Sequence, residues 1–145
     1  MNNFIVRKAV KRDFKEIANI LVKESSKKPY NENYNSEIAF KKISELSKNE
    51  LYVATSDKEI MGFIASNITS DDKKKAYIEE LWLKPSHQKK GIGKYLVKFI
   101  EEKYKNKGVK IIRLVAKRNA NAFKFYKKIK YNEYKELIFM EKRLK

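Results

Sequence analysis

The chain has 145 residues, with 35 Lys or Arg against 18 Asp or Glu and a formal charge of +17. The length suits one domain, and 42% hydrophobic residues suffice for a packed core; zero Cys and a lone histidine, His87, exclude disulfides, thiol catalysis, Cys-ligated metal and any two-imidazole site. No apolar run approaches the ~20 residues that cross a bilayer and no signal-like stretch opens the chain, so a soluble cytoplasmic domain with no membrane partner is expected.

Phe4 to Ala9 is a short β-prone run. Asp13 stands near the start of a helix whose face is Phe14, Ile17, Ala18, Leu21 and Val22. Ser25 to Asn35 reads as a loop, and a capping pattern at Ser36 opens a second helix with Ile38, Ala39, Ile43 and Leu46 on one side. Leu51–Thr55 and Ile60–Thr69 are β-prone on either side of a turn, which predicts a hairpin. A charged turn, Asp71 to Lys75, leads into a third strand, Ala76–Leu83, which Pro85 stops because proline has no ladder donor. Ile92, Tyr95, Leu96, Phe99, Ile100 and Tyr104 mark a helix ending at Gly108, a left-handed cap. Val109–Ala116 is β-branched and short enough for a central strand. Asn119 is expected to cap a further helix through Ala122, Phe123, Phe125, Tyr126 and Ile129, and Leu137–Leu144 alternates as a last strand. The order β-α-α-β-β-β-α-β-α-β predicts one α/β (α+β) domain over residues 1–145, its mixed sheet of about six or seven strands flanked by about four helices.

The charge is unevenly spread. Met1–Leu83 carries 15 basic and 13 acidic residues, whereas Lys84–Lys145 carries 20 and 5. The second part therefore holds nearly all of the positive field, which attracts phosphates on a nucleic acid, a lipid or a small cofactor alike. Gly62 lies in a strand, where a neighbour is expected to pass closely. Gly91 and Gly93 lie in Gln88-Lys89-Lys90-Gly91-Ile92-Gly93, between a strand and an amphipathic helix. Residues without Cβ there let backbone N–H groups curl around an anion, and the helix N-terminus adds about half a positive charge. Lys89, Lys90 and Lys94 strengthen that potential. A dinucleotide fingerprint would need a third glycine where Leu96 stands, and a Walker loop would need Ser or Thr where Tyr95 follows Lys94.

The stretch Leu83-Lys84-Pro85-Ser86-His87-Gln88-Lys89-Lys90-Gly91-Ile92-Gly93 resembles the cofactor motif of GNAT-superfamily acetyltransferases: a strand-ending aliphatic, a proline two later, then Gln/Arg-x-x-Gly-x-Gly/Ala. Further on, Asn119-Ala120-Asn121-Ala122-Phe123-Lys124-Phe125-Tyr126 is similar to the family's second motif, an Asn-x-x-Ala helix with a tyrosine. The element order resembles the family fold from end to end. The resemblance implies acetyl-CoA as acetyl donor, its pyrophosphate on the Gln88–Gly93 amides beside Lys94, with Leu81, Trp82, Leu83 and Asn119 as further cofactor contacts. It implies no metal, and a homodimer by analogy. Two departures stand out. His87 replaces a usual aromatic, and Lys130-Tyr131 replaces the usual Gly-Phe. A Lys at position 130 costs about 1 kcal/mol if φ must be positive, which argues for a different helix end.

Acetyl transfer to an amine makes three physical demands. The ammonium must lose a proton, the carbonyl oxygen needs hydrogen-bond donors as it becomes negative, and the departing thiolate gains from a proton donor. The resemblance assigns carbonyl donation to backbone N–H groups at Leu81 and Leu83, flanking Trp82, and the general acid to Tyr126. Glu79 and Glu80 are the candidate bases. Adjacent strand residues point to opposite faces, and Glu79 shares parity with Leu81 and Leu83 unless a bulge intervenes. His87, in a loop, is not favoured as a base. The expected activity is N-acetylation of a primary amine on a small molecule or peptide, by direct attack through a tetrahedral intermediate. The competing reading is a nucleic-acid- or ribosome-associated binder on a catalytically lapsed version of the fold. Its support is the basic second part of the chain; the near-neutral first part and the lack of an RNA-module signature weigh against a nucleic-acid partner.

Overall fold

In the computed structural model, which describes residues 3–57 and 59–145, five strands form one sheet in chain order. They are β1 (Ile5–Lys8), β2 (Glu50–Ser56), β3 (Glu59–Ile68), β4 (Lys75–Leu83) and β5 (Ile111–Arg113). The first four pair antiparallel, and β5 runs parallel to β4 over Lys75–Tyr77 alone. Four helices accompany them: α1 (Phe14–Ser25), α2 (Ser36–Leu46), α3 (Ile92–Asn106) and α4 (Asn121–Lys128). The chain divides into two compact units, one ending at Val115 and one spanning Ala116–Lys145. The sheet and α1–α3 belong to the first and α4 to the second.

Apolar side chains on both faces hold the sheet of the first unit. On one face, Phe14, Ile17 and Leu21 of α1 and Ala39 and Ile43 of α2 are buried with Leu51, Val53, Phe63 and Ala65. On the other, α3 buries Leu96, Val97, Ile100 and Tyr104. There Tyr104 Oη lies 2.8 Å from Ser66 Oγ, and the Phe99 ring packs edge-on to Tyr52 at 5.0 Å. The apolar positions of each helix recur at three and four residues, so one stripe of each reaches the sheet.

Two extra residues set which side chains reach which face. Between β3 and β4 the register runs Ala65 opposite Glu80 but Ser66 opposite Ile78, which leaves Glu79 as an unpaired bulge. Between β2 and β3 the shift falls at Met61. Because of the first bulge, Ile78 shares the α3 face with Ser66, while Glu80 and Trp82, opposite Ala65 and Phe63, share the α1–α2 face. Next to the second lies Gly62, opposite Leu83. A Cβ there would run into the Leu83 side chain and lie 2.7 Å from the Trp82 carbonyl oxygen, the close approach expected of this glycine.

Several expectations need correcting. The sheet has five strands rather than six or seven, and the stretch expected as a strand over Val109–Ala116 pairs only at Ile111–Arg113. Leu137–Leu144 forms no strand; Leu137, Ile138, Phe139, Met140 and Leu144 are all more than two-thirds exposed. Alternation describes a side-chain pattern, and a strand also needs an edge to pair with and a face to bury. The second helix is capped one residue earlier than expected, by Asn35, whose Oδ1 accepts the Ile38 N–H at 2.8 Å. Asn119 does not cap α4; Ala120 holds the extended N-cap backbone, with no side-chain bond. Lys130 has φ of 78°, and α4 ends like α3. In both, the two N–H groups after the C-cap bond back to the last turn: Gly108 to Lys105 (3.1 Å) and Val109 to Tyr104 (2.9 Å), then Lys130 to Lys127 (3.1 Å) and Tyr131 to Tyr126 (2.9 Å). The left-handed residue is thus retained with a lysine in it.

Candidate active site

Pro85 ends β4 and begins a single 3-10 turn, Pro85–His87, after which the chain bends into α3. That bend is built from backbone. Lys89 (φ 61°) and Gly91 (φ 83°) are both left-handed with Lys90 between them, an alternation that turns successive N–H groups towards a common concavity. Gly91 is the N-cap of α3 and offers no side-chain cap. The first bond at this end of the helix runs from the Tyr95 N–H to the Gly91 carbonyl at 3.0 Å, so the N–H groups of Ile92, Gly93 and Lys94 have no intrahelical acceptor. Lys89, Lys90 and Lys94 are exposed around them. The Gln88 amide pins the bend: its Nε2 donates to the Leu83 carbonyl at 3.0 Å and to Oε1 of the buried Glu24, at the end of α1, at 3.1 Å. His87 is tied elsewhere, with Nε2 2.7 Å from Glu59 Oε1.

Beside this bend, β4 has an open edge. The Lys84 N–H donates to the Met61 carbonyl on β3 at 2.9 Å. Successive strand N–H groups point to opposite edges, so Trp82 also faces β3, whereas Leu81 and Leu83 direct their N–H groups to the other side. Pairing with β5 has ended there, at Tyr77. The expected donors Leu81 and Leu83 therefore face an unpaired edge, and the bend starts where that edge stops.

The bulge removes the parity that pointed to Glu79, which is exposed. Glu80 is instead held on the α1–α2 face, its side chain 11% exposed. Its Oε1 accepts the Trp82 indole N–H at 2.6 Å, and its Oε2 lies 2.9 Å from Lys42 Nζ on α2. Lys42 also donates to the Tyr34 hydroxyl at 3.0 Å. Burial alone would lower the Lys42 pKa, but the hydrogen bonds to Tyr34 and Glu80 outweigh it, and the ammonium is held well above its usual range. Tyr30 packs edge-on to Trp82 at 4.8 Å. The phenol of Tyr77 is pushed up by burial and then by the fields of Glu79 and Glu80. Tyr30, Lys42 and Glu24 were not singled out by the sequence, because Trp82, Glu80 and Gln88, which they meet, lie far along the chain, and no local spacing marks Tyr34.

In the second unit Asn119 is an exposed turn residue. Tyr126 is buried in α4, its ring edge-on to Phe125 at 5.0 Å and to Tyr131 at 5.4 Å. Among the described residues no group of three His, Asp or Glu could hold a metal ion, and no helix is long and apolar enough to cross a membrane.

A family model, Acetyltransferase (GNAT) family, matches residues 14–131. The chain belongs to the GNAT acetyltransferase family. No curated protein matches it. Among solved structures, this GNAT chain is similar to a possible acetyltransferase from Clostridium difficile 630, at 19% identity and a TM-score of 0.82, covering 99% of this chain and 100% of that one. It is also similar to AAC(6')-Iy in complex with the bisubstrate analog CoA-S-monomethyl-acetylneamine, at 17% identity and a TM-score of 0.77, covering 99% and 100%. A third is an aminoglycoside acetyltransferase from an uncultured soil metagenomic sample in complex with sisomicin, at 19% identity and a TM-score of 0.75, covering 99% and 97%. At these identities the likeness is one of GNAT fold.

Proposed function

We propose that residues 1–145 act as one N-acetyltransferase domain that moves an acetyl group from acetyl-CoA to a primary amine of a small molecule or peptide. The observation that carries this reading is the junction of the N–H-lined bend at Lys89–Lys94 with the open edge of β4 at Leu81 and Leu83. The donor set of the bend, backbone N–H groups and lysine ammonium groups with no carboxylate among residues 88–94, suits a polyanion such as the phosphates of acetyl-CoA. When bound, acetyl-CoA supplies a thioester carbonyl open to attack and a thiolate that leaves. In this reading Gln88, Lys89, Lys90, Gly91, Ile92, Gly93 and Lys94 hold the phosphates. The N–H groups of Leu81 and Leu83 donate to the carbonyl oxygen as negative charge grows on it, where fixed donors are worth most. Trp82 and Asn119 keep the cofactor contacts that the resemblance gives them. Tyr126 donates its phenol proton to the sulfur. Both oxygens of Glu80 already have donors, so the amine's proton passes to Glu79 through solvent. The solved structures holding CoA conjugates and aminoglycosides support an amine acceptor for this fold.

The test is a thiol-release assay with an amine panel, run beside calorimetric titration of acetyl-CoA. Tyr126→Phe is expected to lower turnover by about 10²-fold or more while leaving acetyl-CoA affinity unchanged. Wild-type turnover in that variant would remove Tyr126 from the mechanism, and absence of acetyl-CoA binding by the wild-type protein would remove the mechanism itself.

A further inference from the structure

An amine reaching the Leu81–Leu83 edge has to come from one side of the sheet. On the α3 side Ile64, Ser66 and Ile78 are buried beneath the helix. On the other side Trp82, Tyr30, Tyr34 and Lys42 are all partly exposed around Glu80, so this is the side that receives the acceptor. A surface that selects a polycation needs carboxylates free to pair with it. Here Glu16, Glu24 and Glu80 each carry a lysine of this chain at 2.9 Å: Lys84, Lys27 and Lys42 respectively. Glu80 is the one at the reacting edge, two residues from Trp82, and its charge is cancelled from within. What remains for a ligand there is aromatic surface, the edge-on Tyr30 and Trp82 rings and Tyr34, with Glu79 as one exposed carboxylate in β4, which favours an apolar body and one cation.

On the reading of the site given above, which this deepens, we propose that Lys42 sets the acceptor class: an amine with a single positive charge on an aromatic or aliphatic body, in preference to a polycation. Aminoglycosides, the polycations bound by similar structures, are on this assignment the poorer acceptors for this chain. Removing the Lys42 charge leaves a largely buried Glu80 carboxylate with which a second ammonium on the acceptor would pair.

The experiment measures kcat/KM by thiol release with tyramine, spermidine and sisomicin, on the full chain, with acetyl-CoA affinity followed by calorimetry and folding by thermal unfolding. The wild type is expected to prefer tyramine. Lys42→Gln keeps a hydrogen-bond donor without the charge and should raise the spermidine-to-tyramine ratio by about tenfold or more, at unchanged acetyl-CoA affinity. Lys42→Arg should keep the wild-type preference. If the Gln variant does not fold, Glu80→Gln serves in its place, and by leaving Lys42 unpaired it should lower that ratio. A wild type that binds acetyl-CoA but prefers spermidine or sisomicin, or does not turn over tyramine, overturns the assignment of Lys42 and leaves the acetyl-CoA site standing. An unchanged ratio in the folded variants overturns it as well. A wild type that does not bind acetyl-CoA overturns the proposed function, and the acceptor class with it.

Discussion

Gly91 separates two contributions that usually change together. Its φ of 83° is left-handed, and a Cβ built on it meets nothing within 4 Å. Gly91→Ala therefore pays only for backbone conformation, about 1 to 2 kcal/mol. For a chain of this length that lowers Tm by roughly 3 to 8 °C. The N–H groups of the bend are still present in the folded alanine variant, so acetyl-CoA affinity should fall by no more than a few-fold. Gly91→Glu carries the same backbone cost and adds a carboxylate beside N–H groups meant for phosphate. Two like charges about 5 Å apart repel by roughly 3 kcal/mol at an effective dielectric of 20, and screening at this exposed site leaves about 2. That is roughly a thirtyfold loss of affinity. Calorimetric titration of acetyl-CoA, with thermal unfolding in parallel, reads both numbers. Equal affinity in the Glu variant and the wild type would mean that phosphate does not sit in this bend.

Gly62→Ala places a methyl group against the Leu83 side chain and the Trp82 carbonyl, backbone that cannot swing away. It should cost about 2 kcal/mol in urea unfolding and depress thiol release; wild-type stability would contradict the packing described for this pair. Asp13 accepts both Arg7 nitrogens, at 2.7 and 2.9 Å, and the Val10 N–H at 2.8 Å. The Arg7 bond, against burial and with help from the Val10 N–H, holds the Asp13 pKa below the ordinary value. Its stabilisation is therefore complete above about pH 4, the unfolded value, and is lost as pH falls through the lower folded value. Asp13→Asn should be destabilised by about 1.5 to 3 kcal/mol at pH 7, and the gap to wild type should shrink towards pH 2. A gap independent of pH in urea titrations would refute this. Lys130→Gly relieves a left-handed lysine and should raise stability by about 1 kcal/mol, seen as a higher Tm; no rise would show that the lysine bears no strain there.

The parts of the fold legible in the sequence are those written in short-range pattern. The hairpin of β2 and β3, the stop at Pro85, the apolar stripe of α3 and the left-handed Gly108 all follow from spacing or from one residue's conformational limits. The bend into α3 was legible because glycine at 91 is a local requirement. Lys89 was not, since a lysine gives no hint of a positive φ. The orientation of Glu80 depends on a bulge, which is a relation between two strands and leaves no mark in either one. The clamp from Gln88 to Glu24 joins residues 64 apart. Leu137–Leu144 misled in the opposite sense, because its alternation describes a strand but does not supply the edge to which it would pair.

The bulge at Glu79 also shapes how this gene can change. Taking that single codon out would close the bulge and leave the phase of β4 as it is, because Ile78 and Glu80 already stand opposite consecutive residues, Ser66 and Ala65. Taking out a paired residue such as Leu81 would instead shift the phase by one step and drive either Trp82 or Glu80 towards Leu96, Val97 and Ile100. Length changes in β4 are therefore absorbed at Glu79 and costly at its paired neighbours, where the core and the Glu80 face would be lost together.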